Sequence, residues 1–235
     1  MTEPMAVLLE TDAVVAVDKP PGLTVVPAPT EPGDSLRHRV ERALGCPLWV
    51  VHRLDRDASG VVLFARSADA HRALCLAFEH RLVEKSYVAL TAGVPDPPEG
   101  VIAVPLHAAR RGKTRPAAPG EAGAQEATTG YEVVERWHRD GHRAALVSAR
   151  PRTGRHHQLR VHFRSIGTPL LFDRVYGRRV DLAPLDGIPC QRLALHASRL
   201  VVPATVLGTR IDVHAPMAAD LQAAIGWLAN TWSRD

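Results

Sequence analysis

The sequence predicts an α+β domain of short strands and a few amphipathic helices. Its apolar runs are short, rich in Val, Leu and Ala, and bounded by Gly, Pro and Asp turns. Between them lie stretches with apolar residues at helical spacing. No internal repeat or composition shift cuts the 235-residue chain, so residues 1–235 read as one domain, large enough to bury a core.

In order, Val7 to Glu10 and Val14 to Val17 are expected as strands around a Thr-Asp turn, and Asp18-Lys19-Pro20-Pro21-Gly22 must turn again, because proline donates nothing to a ladder. Val25-Val26 is expected to resume an edge strand. A helix follows, capped by Asp34 or Ser35, with Leu36, Val40, Ala43 and Leu44 on one side and Gly45 at its end.

Leu48 to Val51 and Val61 to Phe64 then read as strands around a short charged loop, His52-Arg53-Leu54-Asp55-Arg56-Asp57-Ala58-Ser59, with Gly60 permitting a backbone conformation other residues resist. A carboxylate between two arginines should stay ionised at neutral pH, which suits a nucleophile or base. Read alone, the cluster is equally a set of surface ion pairs closing a hairpin.

Ser67 opens a second helix with Ala70, Leu74, Phe78 and Leu82 every four residues, and Lys85 to Leu90 is a strand carrying Tyr87. Pro95 to Gly100 reads as a rigid turn. Residues 105–128, poor in large apolar side chains, read as a long loop or loose hairpin arm. Tyr131 to Trp137 and Arg143 to Ala149 form a hairpin around His138 to His142. A helix capped by Thr153 is expected to run to about Ile166, with Arg155, Leu159, His162 and Ile166 on one stripe. Arg155 in its first turn would oppose the helix dipole, which points to a partner elsewhere. After a loop over 168–177, Leu193 to Val202 and Arg210 to His214 are strands. Met217 to Trp232 is a helix with Leu221, Ile225 and Leu228 inward.

Composition excludes several classes. With 46% hydrophobic and 23% charged residues, the chain is neither disordered nor a membrane protein. Its start carries no basic segment ahead of an apolar one, so a cytoplasmic location is expected. Cys46, Cys75 and Cys190 are odd in number and scattered, against a disulfide framework. The histidines lack metal-ligand spacing, so no metal is expected. The net charge of +4 is modest, but basic residues cluster at Arg110, Arg111, Lys113 and Arg115, at Arg150, Arg152, Arg155, Arg160 and Arg164, and at Arg174, Arg178 and Arg179. Such groups fit a phosphate backbone.

Five further segments accompany His52-Arg53-Leu54-Asp55-Arg56-Asp57-Ala58-Ser59-Gly60: Asp18 to Leu23, Lys85 to Ala89, Arg152-Thr153-Gly154-Arg155-His156-His157-Gln158-Leu159-Arg160-Val161-His162, Asp173 to Gly177, and Arg192 to Ala197. Together, and in this order, they resemble the RluA family of RNA pseudouridine synthases over nearly the whole chain.

The resemblance implies the pseudouridine synthase fold, a mixed and largely antiparallel sheet with packed helices and a basic RNA-binding cleft. It implies isomerisation of uridine in ribosomal or transfer RNA without cofactor or metal, by a catalytic domain that selects its own substrate and is expected to be monomeric. Asp55 would be the catalytic carboxylate, Arg155 its cation, and Tyr87 the ring against the uracil. Leu159 would pack beside the base, and Arg53 would fill the space an extruded base leaves. Arg152, His157 and Arg160 are expected on the substrate. Ala58 stands where the family usually has threonine, and Phe172 where glycine is usual. The competing readings are a non-catalytic RNA-binding protein on the same fold and, more weakly, a hydrolase using Asp55 and His52.

Overall fold

The computed structural model describes residues 6–27, 33–177, 180 and 182–234, and Arg111 by its backbone alone. Met1 to Pro4, and Arg178 and Arg179 of the third basic group, lie outside the described residues. The elements in chain order are β1 (Val7–Glu10), β2 (Val14–Lys19), α1 (Leu36–Leu44), β3 (Trp49–Val50), β4 (Ser59–Ala65), α2 (Ala68–Glu79) and β5 (Glu84–Ala92). Then come β6 (Glu99–Ile102), β7 (Leu106–Ala109), β8 (Lys113–Pro116), β9 (Thr129–Arg139), β10 (His142–Pro151) and α3 (Gln158–Ser165). The chain closes with β11 (Leu195–Val202), α4 (Ala204–Leu207), β12 (Ile211–His214), α5 (Ala219–Thr231) and β13 (Ser233–Arg234). Two compact units result, Met1–Lys85 with Ala197–Pro216, and Ser86–His196 with Met217–Asp235.

The first unit is built on strands in the order β1-β2-β4-β11, with β3 also paired to β4 and β12 to β11. The pairs β1/β2, β2/β4, β3/β4 and β11/β12 are antiparallel. Its central strands are continuously apolar over residues 14–17 and 61–65 because both faces are covered there. Val14, Ala16, Val61, Leu63 and Ala65 pack with Ala70, Leu74 and Ala77 of α2. Their alternates Val15, Val17, Val62 and Phe64 pack with Leu36 and Val40 of α1.

Helix α1 follows its expected signals: the Ser35 side chain accepts from the His38 N–H, and Gly45 closes the helix at φ 66°. Val25-Val26 is not a strand. The Thr24 and Val25 carbonyls instead accept from Leu36 N and Arg37 N, covering two of the donors a helix start leaves open. In α2 the Ser67 cap holds, but the helix ends at Glu79. The chain turns at Arg81 (φ 61°), leaving Leu82 49% exposed and Val83 in the core.

The second unit carries strands in the order β5-β10-β9-β13, with β6 paired to β9. The β9/β10 hairpin turns on Asp140-Gly141, both at positive φ (49° and 79°), the combination a two-residue type I′ turn requires. Strand β6 was hidden by its prolines: Glu99 to Ile102 pair with Glu132 to Thr129 directly after Pro97-Pro98. Leu90, Trp137, Leu146 and Leu171 form a core with Leu221, Ala224 and Leu228 of α5, while Ile225 packs at its margin. Residues 105–128 contain a hairpin arm, β7/β8, that forms its own two-stranded sheet.

Candidate active site

The loop at 51–58 belongs to the first unit. Strand β3 makes two rungs with β4, Trp49 opposite Ala65 and Val50 opposite Phe64, and then leaves the sheet. The His52 ring takes over, its Nε2 accepting the Leu63 N–H at 2.9 Å while the ring stacks on Phe78 with centroids 5.0 Å apart. Burial, with the Lys85 charge adding to it, pushes the His52 imidazole down to about 3, so the ring stays neutral and keeps its acceptor. Burial also lowers the Lys85 ammonium to about 8.

The middle of the loop is held from the Asp18 to Gly22 turn. The buried Lys19 Nζ donates to the carbonyls of Pro20 (2.8 Å), Leu23 (2.8 Å) and Arg56 (2.9 Å). Gly22 N donates to Arg56 O at 2.9 Å, and Arg56 Nε returns a bond to Gly22 O at 3.0 Å. Ala58 N closes a turn on Asp55 O at 3.2 Å. Asp55 is therefore half-buried on backbone fixed at both sides, while Arg53 is exposed. Ala58 is buried. At Gly60 (φ 111°) a Cβ would lie 2.2 Å from the Ala197 carbonyl oxygen, so only glycine lets β4 begin beside β11.

The other expected site residues are in the second unit. Tyr87 is half-buried on β5, opposite Ala149 of β10. Strand β10 ends at Pro151, which puts the exposed Arg152 just past the same end of that ladder. The helix expected from Thr153 begins only at Gln158, with His157 at its cap in the left-handed region (φ 54°). Arg155 thus lies in a turn, and the helix-dipole argument for it falls away.

Gln158, which the sequence reading passed over, shapes that turn. Its Oε1 accepts from Thr153 Oγ1 (2.7 Å) and Arg155 N (3.0 Å), and its Nε2 donates to Thr128 O (3.1 Å) and Thr129 Oγ1 (3.0 Å). All four hydrogen-bonding positions of the amide are used. The sequence signal was a glutamine among buried helix positions, which has to satisfy both ends of its amide. The Arg155 guanidinium is steadied by Nε donating to Glu126 O at 3.1 Å.

Leu159 is buried. His157 Nδ1 lies 2.9 Å from the Tyr176 hydroxyl. Arg160, expected on the substrate, turns inward: it is 8% exposed and grips Asp173 through Nε (2.7 Å) and Nη2 (2.8 Å). Burial alone would raise the Asp173 carboxyl, but Arg160 and the N–H groups of Tyr176 and Val175 outweigh it and hold the carboxyl below its usual range. The charge of Arg160 is neutralised inside the protein, which makes it a positioning residue. His162, on the expected stripe, is also structural, its ring nitrogens 2.9 Å from Thr129 Oγ1 and 3.0 Å from Val104 O. Phe172 adopts φ 58°, which explains why glycine is usual before Asp173.

Among the described residues no group of His, Cys, Asp or Glu side chains could hold a metal ion, and no helix is long and apolar enough to cross a membrane.

The chain is similar to known proteins in sequence and fold. Residues 13–165 match the family model described as RNA pseudouridylate synthase. The chain is 37% identical over 213 residues to the dual-specificity RNA pseudouridine synthase RluA of Escherichia coli K12, covering 90% of this chain and 93% of that protein. It is 30% identical over 230 residues to the ribosomal large subunit pseudouridine synthase D of Zymomonas mobilis, covering 93% of this chain and 71% of that one. Among solved structures, human RNA Pseudouridylate Synthase Domain Containing 4 superposes with a TM-score of 0.77 at 26% identity, covering 95% of this chain and 93% of that chain. The chain belongs to the RNA pseudouridylate synthase family, in its RluA group, and is a pseudouridine synthase.

Proposed function

We propose that residues 1–235 work as one catalytic domain that isomerises uridine to pseudouridine at particular positions of ribosomal or transfer RNA in the cytoplasm. The N1–C1′ bond of the nucleoside breaks, the uracil rotates, and a C5–C1′ bond forms. The C5 proton leaves and N1 takes one up, so the RNA gains and loses no atoms and the reaction needs only protein and RNA. The observation that carries this reading is the whole-length likeness to RluA together with Asp55 on a loop fixed by Lys19 and His52. The E. coli relative is named for dual specificity and the Z. mobilis relative for the large ribosomal subunit, which favours structured RNA as the substrate class.

In this reading Asp55 attacks the uracil ring or ribose C1′, Arg155 pairs with it, and Tyr87 lies against the base and assists removal of the C5 proton. Leu159 packs beside the uracil. Extruding the base from its stack costs on the order of a few kcal/mol, and Arg53 fills the gap. Arg152 and the exposed Arg110 and Lys113 of the arm meet phosphates along a basic cleft. The test is to map pseudouridines in total RNA with and without the protein, and to measure tritium release from transcripts labelled at uridine C5. Asp55→Asn should abolish both signals while RNA binding persists. Retained isomerisation by that variant would remove Asp55 from its role.

A further inference from the structure

The second unit contains a hydrogen-bonded junction centred on Tyr176, a residue to which the proposed reaction gives no part. The buried Tyr176 hydroxyl accepts the Thr114 N–H at 2.8 Å and lies 2.9 Å from His157 Nδ1. Thr114 is tied again through its Oγ1, 3.1 Å from His156 Nδ1, and His156 stacks on His157 with centroids 3.6 Å apart.

The two sides of this junction differ in kind. Tyr176 is anchored to the body: its own N–H donates to Asp173 Oδ1 at 3.0 Å, and the Arg160 guanidinium carbon sits 5.1 Å from its ring centroid. Its ring also packs with Ala127 and Val161 of the body, and with Leu106 of β7, an apolar contact to the arm that does not involve the hydroxyl. Thr114, in contrast, sits in β8 of the arm. It is buried between exposed Lys113 and Arg115, so holding Thr114 inward turns its neighbours outward. Of those two, Arg115 is engaged by Glu121, while Lys113 stands with Arg110 at the turn of the arm.

We infer that Tyr176 is a positioning residue whose hydroxyl locks the β7/β8 arm to the body of the second unit, so that Arg110 and Lys113 meet RNA lying outside the target loop. The inference rests on the arm being an RNA contact, as the functional reading has it. Tyr176 touches neither base nor ribose in this scheme; it sets how much of a structured RNA the protein senses. Thr114 and His156 form the second tether of the same lock.

The test uses the full chain and unmodified large-subunit rRNA and tRNA transcripts labelled with tritium at uridine C5. Each is compared with a short stem-loop carrying the target uridine, unmodified and labelled in the same way. Tyr176→Phe keeps the ring and its packing and removes only the hydroxyl. On the long transcript KM should rise about fivefold or more with kcat within about twofold, and the stem-loop should be turned over as by the unaltered protein. The slope of log KM against log salt should flatten by about one to two phosphate contacts, at roughly 0.7 to 0.9 per contact. Thr114→Val, losing one tether, should shift KM in the same direction by less, and Lys113→Ala should reproduce the flatter slope without touching the lock. Equal losses on both substrates, or a Tyr176→Phe enzyme with unchanged KM and salt slope, would overturn the inference. Absence of tritium release by the unaltered protein from every transcript would instead sink the functional reading beneath it.

Discussion

The buried ammonium of Lys19 donates to the main-chain carbonyl of Arg56 at 2.9 Å, binding the turn after β2 to the residue that follows Asp55. The same nitrogen serves Pro20 O and Leu23 O, so one side chain fixes two loops whose own backbone forms no ladder there. Lys19→Met keeps much of the volume but strands the Pro20 and Leu23 carbonyls and leaves the Arg56 carbonyl only its bond from Gly22 N. At about 1–3 kcal/mol for an orphaned buried acceptor, and with partial relief by relaxation, the variant should lose about 3 kcal/mol of stability. Its turnover should fall further than its folded fraction accounts for, because the Asp55 backbone loses its brace. Urea unfolding and tritium release measured together check this; normal turnover in the folded variant would count against the brace.

Gly60 stands where β4 begins, and a methyl there would meet Ala197 O at 2.2 Å and Ala197 N at 2.7 Å. Those atoms are backbone of the neighbouring strand, so relief requires parting β4 from β11. Positive φ adds about 1–2 kcal/mol for any L-residue, and overpacking typically about 1–3 kcal/mol. Gly60→Ala should therefore cost about 3 kcal/mol or more, read as a lowered Tm or as loss of soluble protein. An alanine variant as stable as the parent would contradict the close approach.

Much of the fold is legible in the sequence because its signals are local. Ser35, Gly45 and Ser67 cap helices by their own chemistry, and Asp140-Gly141 specifies its turn. What escapes is set by partners distant in sequence. Val25-Val26 reads as a strand until the N-terminus of α1 claims the Thr24 and Val25 carbonyls. Thr153 reads as a helix cap until Gln158 reaches back to it, and Arg160 reads as a phosphate contact until Asp173, thirteen residues on, neutralises it. In the candidate site the residue types are legible, but which of them face substrate and which face one another depends on those long-range bonds.

Phe172 offers a direct measure of backbone strain. It holds φ 58° while its ring packs against the margin of the core built on Leu90 and Leu171. Phe172→Ala and Phe172→Gly both forfeit the ring, but only glycine is at ease in that conformation. The glycine variant should be the more stable of the two by about 1 kcal/mol, the left-handed penalty less the greater entropy glycine has when unfolded. Paired denaturant melts decide it, and an alanine variant more stable than the glycine one would show that the strain is absent.

The neutral, buried His52 makes stability depend on pH in a direction fixed by its shift. In the unfolded chain the imidazole titrates near 6.5, whereas in the folded protein burial and Lys85 hold it down to about 3. Between those values the unfolded chain takes up a proton that the folded one refuses, so this group makes stability fall as pH drops from 6.5 towards 3. Protonation would also force the ring to give up its acceptor for the Leu63 N–H if Nε2 took the proton. His52→Gln supplies a carbonyl acceptor at similar reach and does not titrate. From pH 7 to pH 5 the unaltered protein should lose about 2 kcal/mol more than the glutamine variant, as follows from protonation of the unfolded imidazole alone. Urea unfolding at the two pH values measures the difference, and parallel losses in both proteins would mean that His52 is charged in the fold.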